Sequence, residues 1–176
     1  DERKAHRMPT AEAIPAQPFL DAIIAAGVTD IVAVPDTHQR SLIELLDRVD
    51  EPRFIQAATE DEAIALAAGL IVGGRKPLVQ IQHAGLYACV NHLRGIAEDA
   101  RFPMVLLIGL LGRDPDLLPG EHGGSMVRLA QPPLDTFDVP HYLLDSPDDL
   151  DKIAGAFEVS EARQGPVALL VGVMTS

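Results

Sequence analysis

Glu60 is the residue whose type and position point most directly to chemistry. It follows an apolar run, Phe54-Ile55-Gln56-Ala57-Ala58, and opens the segment Ala63-Ile64-Ala65-Leu66-Ala67-Ala68-Gly69-Leu70-Ile71-Val72. A helix apolar on every side must be covered by protein all round, and its small residues let another backbone come close. A carboxyl at the mouth of such a helix is shielded from water, which raises its pKa and suits proton transfer. Acidic residues also favour first turns through the helix dipole, and Asp61 and Glu62 share that place, so the segment alone leaves both roles open. Asp36 follows another apolar run in Val34-Pro35-Asp36-Thr37, a common turn and cap arrangement. His83, in Gln82-His83-Ala84-Gly85, is placed to hydrogen-bond a ligand, to act as acid or base, or to be an ordinary loop histidine. Glu121-His122-Gly123-Gly124 lies in a Gly- and Pro-rich stretch, where glycines permit motion or close approach to a ligand, or simply form an exposed tip.

These residues are positioned by an alternation of helical patterns and short apolar runs. Phe19, Leu20, Ile23 and Ile24 recur at helical spacing and stop at Gly27. Ile31 to Val34 reads as a buried strand, Leu42 to Val49 as an amphipathic helix ended by Asp50-Glu51-Pro52, and Phe54 to Ala58 as a second strand. After the Glu60 helix and its stop at Gly73-Gly74 come a strand at Leu78 to Gln82, a helix at Leu86 to Asp99 and a strand at Pro103 to Ile108. Gly109 to Ser125 is a loop long enough to suggest a functional role. A weaker helix or turn at Ser125 to Asp135, a short strand near Tyr142, a helix at Pro147 to Arg163 and a strand at Pro166 to Gly172 complete the pattern. Six apolar strands separated by helices predict an α/β fold, a doubly wound, mainly parallel six-stranded sheet with helices on both faces. In such sheets ligands bind beyond the carboxyl ends of the strands, where Asp36, Glu60 and His83 fall. Residues 1–15 read as a flexible N-terminal arm, with Met8 inside it, and residues 16–176 as one domain.

Composition narrows the function. The 176 residues include 14 Lys plus Arg against 26 Asp plus Glu, a net charge of −12, which argues against phosphate-rich partners and anionic membrane surfaces. No apolar stretch approaches the ~18 residues of a membrane span, and no signal-peptide pattern opens the sequence. A single cysteine, Cys89, excludes an internal disulfide and a four-cysteine zinc site. The expectation is a soluble, cytoplasmic protein without nucleic-acid or membrane partners. Gly-x-Gly-x-x-Gly after the first strand, a Walker loop, a Gly-x-Ser-x-Gly elbow and histidine pairs at metal-ligand spacing are all missing, so no metal site is expected within this chain.

Taken together, three segments resemble the pyrimidine-binding domain of thiamine-diphosphate enzymes, in particular the alpha subunit of sulfopyruvate decarboxylase and the matching half of phosphonopyruvate decarboxylase. Val34-Pro35-Asp36-Thr37 matches a strand–Pro-Asp-Ser turn. Glu60-Asp61-Glu62-Ala63-Ile64-Ala65-Leu66-Ala67-Ala68-Gly69, followed by Gly73-Gly74-Arg75-Lys76-Pro77, matches Glu-x-x-Ala-x-x-x-Ala-x-Gly and Gly-Gly-Lys-Pro. The stretch from Gln82 to Leu93 is similar to Gln-x-Ser-Gly-Leu-Gly-Asn-x-x-Asn-x-Leu. The likeness runs from Ala16 to Val173, and the Glu60 segment is its most specific part.

The resemblance implies a thiamine-diphosphate-dependent 2-oxo acid decarboxylase, a carboxy-lyase, in which Glu60 bonds N1′ of the cofactor's aminopyrimidine and drives removal of the thiazolium C2 proton. Pro35, Asp36, Gly85, Leu86 and Asn91 are the further cofactor-binding positions it implies, His83 a second catalytic group, and His122 a substrate contact with no clean motif match. The superfamily's Gly-Asp-Gly signature with its downstream Asn, which holds Mg²⁺ and the diphosphate, is absent from this sequence. A beta subunit would then carry both, and the cofactor would lie across the interface of a hetero-oligomer with paired alpha and beta chains. Tyr87-Ala88 in place of Gly-Asn, and His83-Ala84 in place of Asn-Ser, leave the 2-oxo acid open. They also keep alternatives alive: a carboligase subunit, a structural subunit without chemistry of its own, or a free-standing flavodoxin-like binding domain.

Overall fold

The computed structural model describes residues 13–176. Helices α1 (Ala16–Ala25), α2 (Arg40–Leu46), α3 (Glu60–Val72), α4 (His83–His92), α5 (Ser125–Arg128), α6 (Gln131–Thr136) and α7 (Lys152–Arg163) alternate with six strands. The strands are β1 (Asp30–Ala33), β2 (Arg53–Gln56), β3 (Pro77–Gln82), β4 (Val105–Gly109), β5 (His141–Leu144) and β6 (Val167–Val171). They form one sheet in the order β2-β1-β3-β4-β6-β5, and every pairing is parallel. The expected doubly wound six-stranded sheet is therefore the fold.

Period-2 alternation explains why the strands read apolar throughout. Leu106 and Ile108 of β4 join Val32, Ile81 and Leu170 under α3 and α4. Val105 and Leu107 point the other way, with Ile31, Leu78 and Leu169 under α1, α2 and α7. At the amino ends of the central strands, buried Asp30 fixes three elements. Its two carboxylate oxygens accept from Arg53 Nε and Arg75 Nε, both at 2.7 Å, and from the Thr29 hydroxyl at 2.7 Å. Burial works to raise this carboxyl's pKa, but the hydrogen bonds from Arg75, Thr29 and Arg53 outweigh it and hold it below the usual range.

Four boundaries differ from the expectations. Ile14, assigned to the arm, is fully buried beside Phe19 and pairs in parallel with Thr175, because an apolar side chain at that point fills the floor under α1. The remainder of the expected arm, including Met8, lies outside the described residues. Strand β2 is at the sheet edge, so it is partly exposed rather than buried. The helix expected from Leu86 starts at His83 and continues past His92 as a π-helical segment, Leu93–Asp99. The segment expected to be helical from Pro147 opens with a 3-10 turn, Pro147–Asp151, held by a Ser146/Asp149 capping box.

The strand order reverses between β1 and β3, since β1 leads through α2 to β2 on one side and β3 leads through α4 to β4 on the other, and in doubly wound sheets such a switch point forms a crevice beyond the strand ends. The turn after β1 and the start of α4 after β3 both sit there.

Candidate functional site

Three acidic residues share the first turn of α3, and the structure separates them. Glu62 folds back so that Oε2 accepts from Ala58 N at 2.7 Å, which satisfies a donor ahead of the helix. Asp61 lies beside the Thr59 hydroxyl, which holds its carboxyl below the usual carboxylate range. Glu60 has no hydrogen-bond partner among the described residues. Its side chain leans across to α4, against the backbone of Gly85. A Cβ on Gly85 would overlap Glu60 Cγ, Cδ and Oε1, so only glycine leaves room for the carboxyl there. Cys89, one turn on, feels that carboxylate: burial first, and the Glu60 charge next, push its thiol up to about 12. Cys89 is an inert core residue, and Glu60 is a half-buried acceptor with its oxygens free.

The expectation that α3 is covered on every side does not hold within this chain, because the sheet and α4 cover only part of it. Ala65, Leu66, Gly69 and Val72 face outward, Leu66 at 39% and Val72 at 77% exposure. Ala84, Ala88 and Asn91 are the exposed residues of the neighbouring α4, so the two helices present small and apolar side chains beside the Glu60 mouth.

Asp36 is buried behind the site and fully engaged. Oδ1 accepts from His38 N at 2.9 Å and Gln82 Nε2 at 2.8 Å, and Oδ2 accepts from Gln39 Nε2 at 3.1 Å. Gln39 in turn reaches the Ile81 carbonyl and accepts from Gln80 Nε2, each at 3.3 Å. A Cβ on Gly109 would occupy the place of Asp36 Oδ2, so β4 also carries glycine where this carboxylate arrives. Asp36 therefore stitches the turn after β1 to β3 and orders the crevice from behind.

His83, the first residue of α4, is 3% exposed. Its Nδ1 accepts from Ala84 N at 3.0 Å, which assigns the proton of the neutral ring to Nε2. Burial draws its pKa below the ordinary imidazole value, against weaker pulls from the Leu111 backbone and the Asp36 charge. The Leu111 backbone is near without being placed for a hydrogen bond, so Nε2 has no partner among the described residues.

The other expected positions are spread more widely. Pro35 is exposed at the crevice, whereas Leu86 is fully buried in the core, so its side chain packs and does not line the site. Asn91 is exposed on the outer face of α4, where Oδ1 accepts from Arg94 at 3.1 Å. His122 is held by its own loop, Gly124 N donating to Nδ1 at 3.1 Å, and no hydrogen bond joins it to Glu60 or His83. The loop end that carries it is tied to α4 by Tyr87, whose hydroxyl donates to the Met126 carbonyl at 2.7 Å. Among the described residues no group of acidic, histidine and cysteine side chains is arranged to hold a metal ion. No helix among the described residues is long and apolar enough to cross a membrane.

The sequence reading missed His38 and Arg113. His38 is 3% exposed and drawn below the ordinary imidazole pKa by burial, against the Asp36 charge and the Val171 backbone. Arg113 is buried in the loop after β4, clamped by Asp145. The one signal available was polar residues inside apolar surroundings: Gln80 and Gln82 on one face of a buried strand, and a lone arginine in an acidic loop.

The family model described as "Thiamine pyrophosphate enzyme, N-terminal TPP binding domain" matches residues 16–116. The chain belongs to this family. It is 25% identical over 154 residues to the sulfopyruvate decarboxylase subunit alpha of Methanococcus maripaludis, covering 87% of this chain and 91% of that one. It is 29% identical over 149 residues to the phosphonopyruvate decarboxylase of Streptomyces viridochromogenes, covering 85% of this chain and 37% of that one. Among solved structures, the benzoylformate decarboxylase of Polynucleobacter necessarius superposes with a TM-score of 0.68 at 23% identity, over 90% of this chain and 30% of that one. The chain thus spans most of an alpha subunit and about a third of the single-chain enzymes. The fold and the family are those the sequence motifs implied.

Proposed function

We propose that this chain is the alpha subunit of a split thiamine-diphosphate-dependent 2-oxo acid decarboxylase, and that Glu60 is its cofactor-activating group. The observation that carries the reading is the Glu60 carboxyl. Of three acids in one helical turn, Glu62 is turned back to the Ala58 amide and Asp61 lies beside the Thr59 hydroxyl, while Glu60 has no hydrogen-bond partner among the described residues and Gly85 opposite leaves space for it. That geometry fits a cofactor ring nitrogen, since a carboxyl with free oxygens at the crevice mouth can share a proton with a ring nitrogen brought against it.

Thiamine diphosphate, when bound, supplies the electron sink for loss of carbon dioxide from a 2-oxo acid. The residues of this chain do the rest. Glu60 holds a proton at its carboxyl oxygen against N1′ of the aminopyrimidine. Pro35 and Gly85 border the ring's place, while Asp36 and Leu86 act from behind it, one ordering the turn and the other packing α4. His83, neutral with its proton on Nε2, offers that N–H as a hydrogen-bond donor to substrate at the crevice. His122 belongs to the loop that reaches the same side, and Asn91 to the outer face of α4. The diphosphate and Mg²⁺ fall to a beta subunit, and the exposed face of α3 and α4 is the surface it covers. Names of the relatives as alpha subunits support such a partner.

The test is Glu60→Gln in the reconstituted alpha–beta complex. General acid–base groups contribute about 10²- to 10⁴-fold, so carbon dioxide release from the accepted 2-oxo acid falls by that order while the complex still assembles. A structural subunit would tolerate the change at unaltered turnover, and that result overturns the proposal.

A further inference from the structure

A cavity of ≈ 290 Å³ opens beyond the ends of β4 and β6, lined by His38, Leu111, Arg113, Pro115, Val173 and Met174 among others. Most of this wall is apolar, and its two polar side chains are both buried. Arg113 has five N–H groups. Nη1 donates to Asp145 Oδ1 at 2.6 Å and the Gly172 carbonyl at 3.3 Å, and Nη2 to Asp145 Oδ2 at 2.9 Å and the Leu117 carbonyl at 3.0 Å. Four donors are thereby used and the guanidinium is fixed in place; Nε–H is the fifth, buried and without a partner among the described residues. Both ring nitrogens of His38 are likewise buried without a hydrogen bond. Gly172 is glycine because a Cβ there would overlap the Arg113–Asp145 pair, so the chain has made room for this clamp at the cavity edge.

An apolar pocket with a few fixed polar groups is the general form of a small-molecule site. We propose that the cavity binds a small monocarboxylate with a compact apolar tail, its head group meeting Arg113 Nε–H and His38, its tail against Leu111, Pro115, Val173 and Met174. The site belongs to this chain alone and does not depend on the decarboxylase reading. Asp145 already balances the Arg113 charge, so the carboxylate's countercharge comes from His38 taking up a proton on binding. The charged and titratable groups around His38 are Asp36 on its own turn, His83 from α4, and the Arg113–Asp145 pair from the loops after β4 and β5. The Val171 and Val173 backbones border it from the end of β6.

The experiment is a titration of the full 176-residue chain with isobutyrate, read by histidine ring ¹⁵N NMR at about pH 6 and about pH 8, either side of the ordinary imidazole pKa. Saturable conversion of the His38 ring to its protonated pattern is expected, tighter at the lower pH, with isobutyramide inactive. His38→Asn abolishes the response, and Leu111→Trp, which fills the cavity from a surface position, weakens binding by at least about tenfold. Shifts that do not saturate, that persist in Leu111→Trp, or that isobutyramide reproduces overturn the proposal.

Discussion

Replacing Gly85 by alanine separates catalysis from stability in one step. A Cβ there would lie 2.5 Å from Glu60 Cδ and closer still to Cγ and Oε1, so the Glu60 side chain must leave its place. Glu60 stands at the open end of α3 and has somewhere to go, at a rotamer cost of about 0.5–1.5 kcal/mol. Alanine in the first turn of α4 returns up to about 1 kcal/mol of helix propensity. The two nearly cancel, so the unfolding free energy of Gly85→Ala from urea denaturation stays within about 1 kcal/mol of the unsubstituted chain. Activity does not cancel. A charge-assisted hydrogen bond is worth about 1.5–3 kcal/mol, and its loss slows carbon dioxide release in the reconstituted complex by roughly 10- to 150-fold. Urea denaturation and the release assay, run on the same preparation, give both numbers. Full activity with unchanged stability would refute the contact between Gly85 and a working Glu60, and loss of both together would reduce Gly85 to a packing residue.

Asp30→Asn weakens the junction of β1, Arg53 and Arg75 and is expected to cost about 1–3 kcal/mol by urea denaturation, because the buried side chain loses charge-assisted hydrogen bonds while the partly exposed arginines stay hydrated. Since the folded state holds this carboxyl below its unfolded value, its contribution is present above about pH 4 and is lost as pH falls through the folded pKa; the acid limb of stability is correspondingly shallower in Asp30→Asn. His38 and His83 carry depressed pKa values from burial, so the unfolded chain binds more protons than the folded one and stability declines as pH drops below about 6.5. The double variant His38→Asn/His83→Asn flattens that slope in pH-dependent melts, and an unchanged slope would contradict the burial of these rings. Tyr87→Phe removes the bond to Met126, costs about 0.5–1.5 kcal/mol, and lowers hydrogen-exchange protection in α5 ahead of the rest of the fold.

The sheet was legible because its central strands are buried on both faces, and a strand such as Val105–Gly109 leaves no other reading of so continuous an apolar run. Ile14 was not, because its partner Thr175 is at the other end of the chain and nothing local marks a single bridge. Glu60 stood out by position and by its place in the Glu-x-x-Ala pattern, whereas its free oxygens were not legible, since they depend on which of the three acids folds back onto the preceding backbone. Asp36 was legible as a turn and cap residue, and it caps the turn Thr37–Gln39; its bond from Gln82 was not, because that partner comes from β3, 46 residues on. His38 and Arg113 gain their character wholly from tertiary neighbours at the ends of β4 and β6, which no local pattern encodes.

The central claim is that the Glu60 carboxyl activates the cofactor, and hydrogen–deuterium exchange at C2 of thiamine diphosphate, followed by proton NMR in the alpha–beta complex, measures that step ahead of any substrate. Glu60→Gln is expected to slow the exchange by about 10²- to 10⁴-fold with cofactor binding retained. Exchange at the unsubstituted rate in that variant would contradict the account.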